Sequence, residues 1–173
     1  MSETLITEAL ERMAMAFPGR VIPRQGQKGP EPYLHRHYLR KADVENHGLF
    51  LHRFVASDDA GELHNHPWEW SRSFILSGSY REIRAHGSAD RSAKPTRYTL
   101  VEREERILSA GDVNFLGWFD FHRVELLTPE VWTIFVHGPR IQTWGFVPER
   151  FDELLDLRPI HTRTFSERQA VQP

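Results

Sequence analysis

Gly61-Glu-Leu-His64-Asn-His66-Pro67-Trp68, answered further along the chain by Gly111-Asp112 and His122, is the pattern on which the reading of this chain turns. Alternate side chains of a β-strand share a face, so His64 and His66 can offer two imidazole nitrogens to one ion. A third ligand must then come from another strand. His122 lies in Asp120-Phe-His-Arg-Val-Glu-Leu126, where apolar and polar residues alternate as in a half-buried strand. Three neutral imidazoles leave coordination positions open on Fe²⁺, Zn²⁺, Mn²⁺ or Ni²⁺, as a catalytic site requires. A His-x-His alone is weak evidence, because two solvent-facing histidines on a strand look the same. The chain carries a second such pair at His35 and His37.

The surroundings of the first pair add weight to it. From Tyr33 onward, short segments rich in β-branched and aromatic residues follow one another at 33–40, 48–56, 71–77, 79–85, 96–101, 113–116, 121–126, 131–137 and 142–147. Glycine, proline, aspartate or serine separates them, which predicts an all-β sandwich or barrel. Ahead of them, Leu5, Ile6, Leu10 and Met13 predict an amphipathic helix over 3–16 that stops at Phe17-Pro18-Gly19. Residues 18–32, with four prolines and three glycines, read as a linking loop without regular structure. Residues 86–95 read as a polar hairpin tip, and 149–157 as a short helix before a tail. The expected organisation is therefore a helix and loop over 1–32, a barrel over 33–148, and a helix and tail over 149–173.

Composition narrows the function classes. With 173 residues the chain fits one domain. Its net charge of −2, from 22 basic and 24 acidic residues, creates no global field to attract nucleic acid or an anionic membrane. No apolar run approaches the roughly 20 residues that span a bilayer, and the first residues lack the basic and apolar regions of a signal peptide. A cytoplasmic protein is the expectation. The absence of cysteine removes disulfides and thiolate ligands together, so any metal must be held by nitrogen and oxygen.

Gly61, His64, His66 and Gly78, with Gly111, Asp112 and His122, resemble the two signatures of the cupin superfamily over residues 48–147. Among cupins, the chain is most similar to small bacterial and phage proteins with a His-x-His-Pro-Trp core. The resemblance implies a jelly-roll barrel, a double-stranded β-helix, holding one divalent ion on His64, His66 and His122. Where the family usually places a glutamate ligand this chain has Ser71. Glu82, one strand further on, is the candidate to fill that place, and Glu82 or Tyr80 the candidate proton carrier. Arg53 and Arg140 are candidates for binding a substrate anion, whereas strand alternation turns Arg123 away from His122.

Three function classes follow from that resemblance. An Fe²⁺ dioxygenase would bind a small polar or anionic substrate beside the metal. A Lewis-acid isomerase or lyase would use Zn²⁺, Mn²⁺ or Ni²⁺ instead. A non-catalytic barrel would bind a small molecule or metal without turnover. Oxygenase chemistry is preferred. A homodimer through edge strands is also expected, because pairing hides exposed backbone groups.

Overall fold

The computed structural model describes residues 3–26, 29–40, 47–90, 92, 97–149 and 156–157. In chain order the elements are α1 (Glu3–Met15), β1 (Gly19–Gly26), β2 (Gly29–Arg40), β3 (Gly48–Phe54), β4 (Glu62–His64), β5 (Trp70–Ser77) and β6 (Ser79–Asp90). They continue with β7 (Arg97–Ser109), β8 (Val113–Gly117), β9 (Phe121–Leu126), β10 (Val131–His137), β11 (Phe146–Pro148) and β12 (Asp156–Leu157). Two antiparallel six-stranded sheets form, ordered β1-β2-β3-β10-β5-β8 and β11-β4-β9-β6-β7-β12. They make the two walls of a jelly-roll barrel.

Alternation decides which side chains face the interior. Ile75, Tyr80, Leu108, Val124 and Val131 fill one part of the core. Phe50, Trp68 and Phe135 fill another, close to the histidine pair. On the outer face of the first sheet, α1 lays Leu10 and Ala14 against Leu51 and Trp132. Burying a leucine of this kind stabilises by about 1.5–3 kcal/mol, enough to seat a short helix. A further cluster of Leu63, Ile83, Phe121 and Val147 lies on the face of the second sheet turned away from His122.

The stretch 18–32 departs from the expected loop. β1 pairs with β2 from Gly19↔His37 to Gly26↔Gly29, so the first sheet begins at Gly19. Pro23 is tolerated because β1 is an edge strand and the register shifts at Ile22/Pro23, while Pro30 and Pro32 precede Leu34, where β2 begins to pair with β3. At the other end of the barrel the expected strand over 142–147 shrinks to β11. The backbone N–H groups of Ile141 and Gln142 bond instead to the carbonyl of Pro67.

The hairpin of β6 and β7 also runs further than expected, continuing through His86 to Asp90. Residues 91 and 93–96 of its tip lie outside the described residues. So do 150–155 and 158–173, where the C-terminal helix and tail were expected. Asp156 and Leu157 pair as strand β12 with Thr99 and Tyr98. Among the described residues, no helix is long and apolar enough to cross a membrane.

Candidate metal centre

β4 and β9 meet at a single register pair, His64↔His122. The two imidazoles therefore share the inner face, and His66, two residues past His64, returns to the same side. Each of the three histidines offers one nitrogen, and these nitrogens lie within 4.8 Å of one another. His66 Nε2 and His122 Nε2 are 2.9 Å apart. Two nitrogens each about 2.1 Å from one ion lie about 3.0 Å apart at a right angle and about 3.4 Å apart at a tetrahedral angle. The observed pair thus fits adjacent positions around one ion. Without metal, the single proton of a neutral His66 on Nε2 fills the gap, so binding an ion requires that proton to move to Nδ1.

The turns that aim this site need glycine. Gly78, between β5 and β6, has φ 79°, and a Cβ there would come within 2.3 Å of the Glu130 carbonyl oxygen. Gly111, before β8, has φ 99°. Both backbone conformations are strained for any residue with a side chain.

Glu82 stands one layer behind the ligands. Its Oε1 accepts a hydrogen bond from His122 Nδ1 at 2.8 Å and another from Asn114 Nδ2 at 2.6 Å. Arg84 and Arg106 reach Oε2 at 3.1 and 2.8 Å. Burial alone would raise the Glu82 pKa, but the His122 interaction, Arg84 and Asn114 together hold the carboxyl well below the usual carboxylate range. An ionised Glu82 keeps the proton of His122 on Nδ1, which turns the Nε2 lone pair toward the other histidines. The carboxylate expected as a fourth ligand is therefore placed where it orients the third one.

The other two histidines are held differently. Asp58 Oδ2 lies 4.0 Å from His64 Nδ1, and Asp58 itself is fixed by the Val124 amide at 2.7 Å. His66 stacks on Phe135 and lies against Trp68 and Trp144. Burial, then the neighbouring His122 and His64, push its pKa well below the usual value, so it stays neutral and able to ligate.

The histidines line a cavity of about 380 Å³. Tyr80 lines it as well, its hydroxyl accepting from Asn114 Nδ2 at 3.2 Å. Burial and then Glu82 raise the Tyr80 pKa, so the phenol keeps its proton. Arg140 borders the cavity, whereas Arg53 is bound to Glu130 at 2.5 Å and lies over Trp132, outside the lining. Arg123 points away from His122 to Glu149 at 2.7 Å, as alternation predicts. Ser71 sits on β5 with its buried hydroxyl unbonded, and it is not among the cavity residues.

Sequence reasoning leaves His52 as a non-ligand, which it is, and gives Arg36 no role, yet both line the cavity. Arg36 Nε donates to His52 Nε2 at 2.9 Å. The available signal was alternation along β2, which places Leu34, Arg36 and Tyr38 on one face.

No protein-family model and no curated protein sequence matches the chain. Solved structures do match in shape. HppE, with Fe(II) and substrate, aligns over 72% of this chain and 58% of its own at 14% identity, with a TM-score of 0.50. HEPD of Streptomyces albus, with 2-hydroxyethylphosphonate and Fe(II) bound, aligns over 70% of this chain and 24% of its own at 8% identity, with a TM-score of 0.50. The fold is a cupin barrel. KdgF from Halomonas sp. is also similar, over 73% of this chain and 92% of its own, at 17% identity and a TM-score of 0.49. The chain spans little more than half of HppE and about a quarter of HEPD. Within this cupin barrel, no Cys, Asp or Glu among the described residues joins the three histidines as a ligand group.

Proposed function

We propose that this cupin is an Fe(II)-dependent enzyme with oxygenase chemistry acting on a small polar or anionic molecule. The observation that carries the proposal is three buried histidines converging at the wall of a cavity, with no carboxylate among the described residues completing the set. A neutral three-histidine set leaves positions for a substrate and O₂, and HppE and HEPD, which share the fold, hold Fe(II). Bound Fe(II) supplies redox capacity that the side chains of this chain lack.

The remaining work falls to the protein. His64, His66 and His122 bind the ion, and Glu82 fixes the tautomer of His122. Trp68, Phe135 and Trp144 pack around His66 and exclude water from that side. Tyr80, protonated and facing the cavity, is placed to donate a hydrogen bond or a proton to a bound substrate. A cavity of about 380 Å³ suits a small metabolite rather than a polymer.

Protein purified without a His tag and loaded anaerobically with Fe(II) tests the reading. One equivalent of iron should bind, and nitric oxide, standing in for O₂, should give the high-spin iron–nitrosyl spectrum. Failure to retain iron, with preferential retention of Zn²⁺ or Mn²⁺ and no nitrosyl signal, would favour Lewis-acid chemistry instead.

A further inference from the structure

A polar row crosses the inner face of the first sheet. Arg20 pairs in register with Arg36, Arg36 with His52, and His52 with Thr133. In-register neighbours share a face, so the four side chains point to the same side of the wall. Arg20, Arg36 and His52 line the cavity that also holds the three histidines. Polar groups inside a barrel need partners. Here His52 Nδ1 and Thr133 Oγ1 are buried without any, and among the described residues Arg36 makes only the hydrogen bond to His52.

Most buried or half-buried arginines are paired, while the exposed Arg72 lies over Trp70 and Phe115 without a carboxylate among the described residues. Away from the cavity, Arg24, Arg53, Arg84, Arg106 and Arg123 each reach a carboxylate oxygen within 3.1 Å. The three that line the cavity, Arg20, Arg36 and Arg140, reach none among the described residues. Arg36 is the deepest of them, half-buried with its guanidinium over the Phe50 ring. The charges of Arg20 and Arg36, in register on β1 and β2, repel, and an anion beside Arg36, the less exposed of the two, would relieve that repulsion. Burial and then the charge of Arg20 bring the Arg36 pKa down to about 10, which still leaves it cationic at neutral pH.

We propose that Arg36, with Arg20 beside it, forms an oxyanion subsite that takes the carboxylate, phosphate or phosphonate group of the substrate. The guanidinium fork supplies paired donors to such a group, and His52 Nδ1–H adds a further donor. Arg140, on the loop after β10, lines the same cavity. A ligand held this way reaches from the first sheet toward the histidines of the second. The subsite deepens the metal-enzyme reading by naming the charged end of its substrate, but it forms without the metal.

Titration calorimetry with inorganic phosphate and with acetate, on protein stripped of metal and on Fe(II)-loaded protein, tests it. Wild-type protein should bind at least one of the two anions in both states. Arg36→Gln should weaken that binding about tenfold or more, and Arg36→Lys should weaken it less. Arg20→Gln, at an exposed position, should weaken it severalfold and keeps the test decisive if Arg36→Gln does not fold. Wild-type binding of neither anion, wild-type affinity in both glutamine variants, or binding that vanishes on removing metal would each overturn the subsite. Arg36-dependent binding by a protein that never takes up Fe(II) would keep the subsite and refute the Fe(II) reading.

Discussion

Replacing Glu82 by glutamine removes one negative charge while keeping the shape of the side chain. Two cations lose their counter-charge. Arg84, with a side chain 6% exposed, is in effect a buried ion, whereas Arg106, at 36%, is screened by solvent and is left out of the sum. Breaking a buried pair by removing one partner costs about 3–5 kcal/mol. A domain of this size is stable by about 5–15 kcal/mol, so the variant should still fold, but only marginally. The midpoint of thermal unfolding should fall by roughly 6–20 °C. Adding Arg84→Met should recover part of the loss, since the double variant leaves no unpaired charge at that point. The second effect concerns the metal. The amide oxygen of Glu82→Gln can accept from His122 Nδ1 but no longer polarises it, so metal affinity should drop by about 10–100-fold. Urea denaturation and competition against a chelator measure the two effects separately. A stability change under about 1 kcal/mol, together with unchanged metal affinity, would refute the account of Glu82 as an ionised orienting group.

Three further outcomes are expected. His122→Ala should abolish stabilisation by added Fe²⁺ or Zn²⁺, which in the wild type should reach about 2.7 kcal/mol at a hundredfold excess over Kd, as read from thermal shifts. Burial, then Arg36, His137 and His37, depress the His52 pKa well below the usual value. Because the unfolded chain then binds a proton that the folded one does not, stability should fall as pH drops below about 6.5, by up to about 1.4 kcal/mol per pH unit for this group. His52→Gln should flatten that slope in denaturation series between about pH 5 and 7, and an unchanged slope would count against a buried neutral His52. Gly78→Ala should destabilise by about 1–3 kcal/mol or more, since the new methyl meets the Glu130 carbonyl at 2.3 Å and the backbone stays at φ 79°. A near-neutral result by denaturation would show that the β5–β6 turn can relax.

The barrel and the ion site were legible because both rest on period-two patterning and turn residues. Alternation puts His64 and His66 on one face, His122 was legible through the cupin resemblance and is brought to them by the β4–β9 register, and Gly78 and Gly111 mark turns only glycine makes comfortably. β1 was hidden because Pro23 and the flanking prolines and glycines mask an edge strand, where a missing N–H is harmless. The partners of Glu82 were hidden for another reason. Nothing in the order of residues says that β6 lies between β7 and β9, which is what brings Arg106 and His122 to the same carboxylate. Arg53 and Arg36 illustrate the same limit. Both are arginines on neighbouring strands, and only the pairing of β3 with β2 and β10 separates the one tied to Glu130 from the one facing the cavity.

β4 is three residues long, joined to β11 on one side and to β9 through the one pair of His64 and His122 on the other. A strand this short has few ladder bonds, its hold coming from buried Leu63 and from Asn65 bonded to Gly145, and it carries or adjoins two of the three ligands. Release of the ion should therefore be timed by the fluctuation of this segment and not by the stripping agent. With excess chelator, the rate of metal loss should level off at the opening rate of β4, and amide exchange at Leu63 and His64 should slow when the ion is in place.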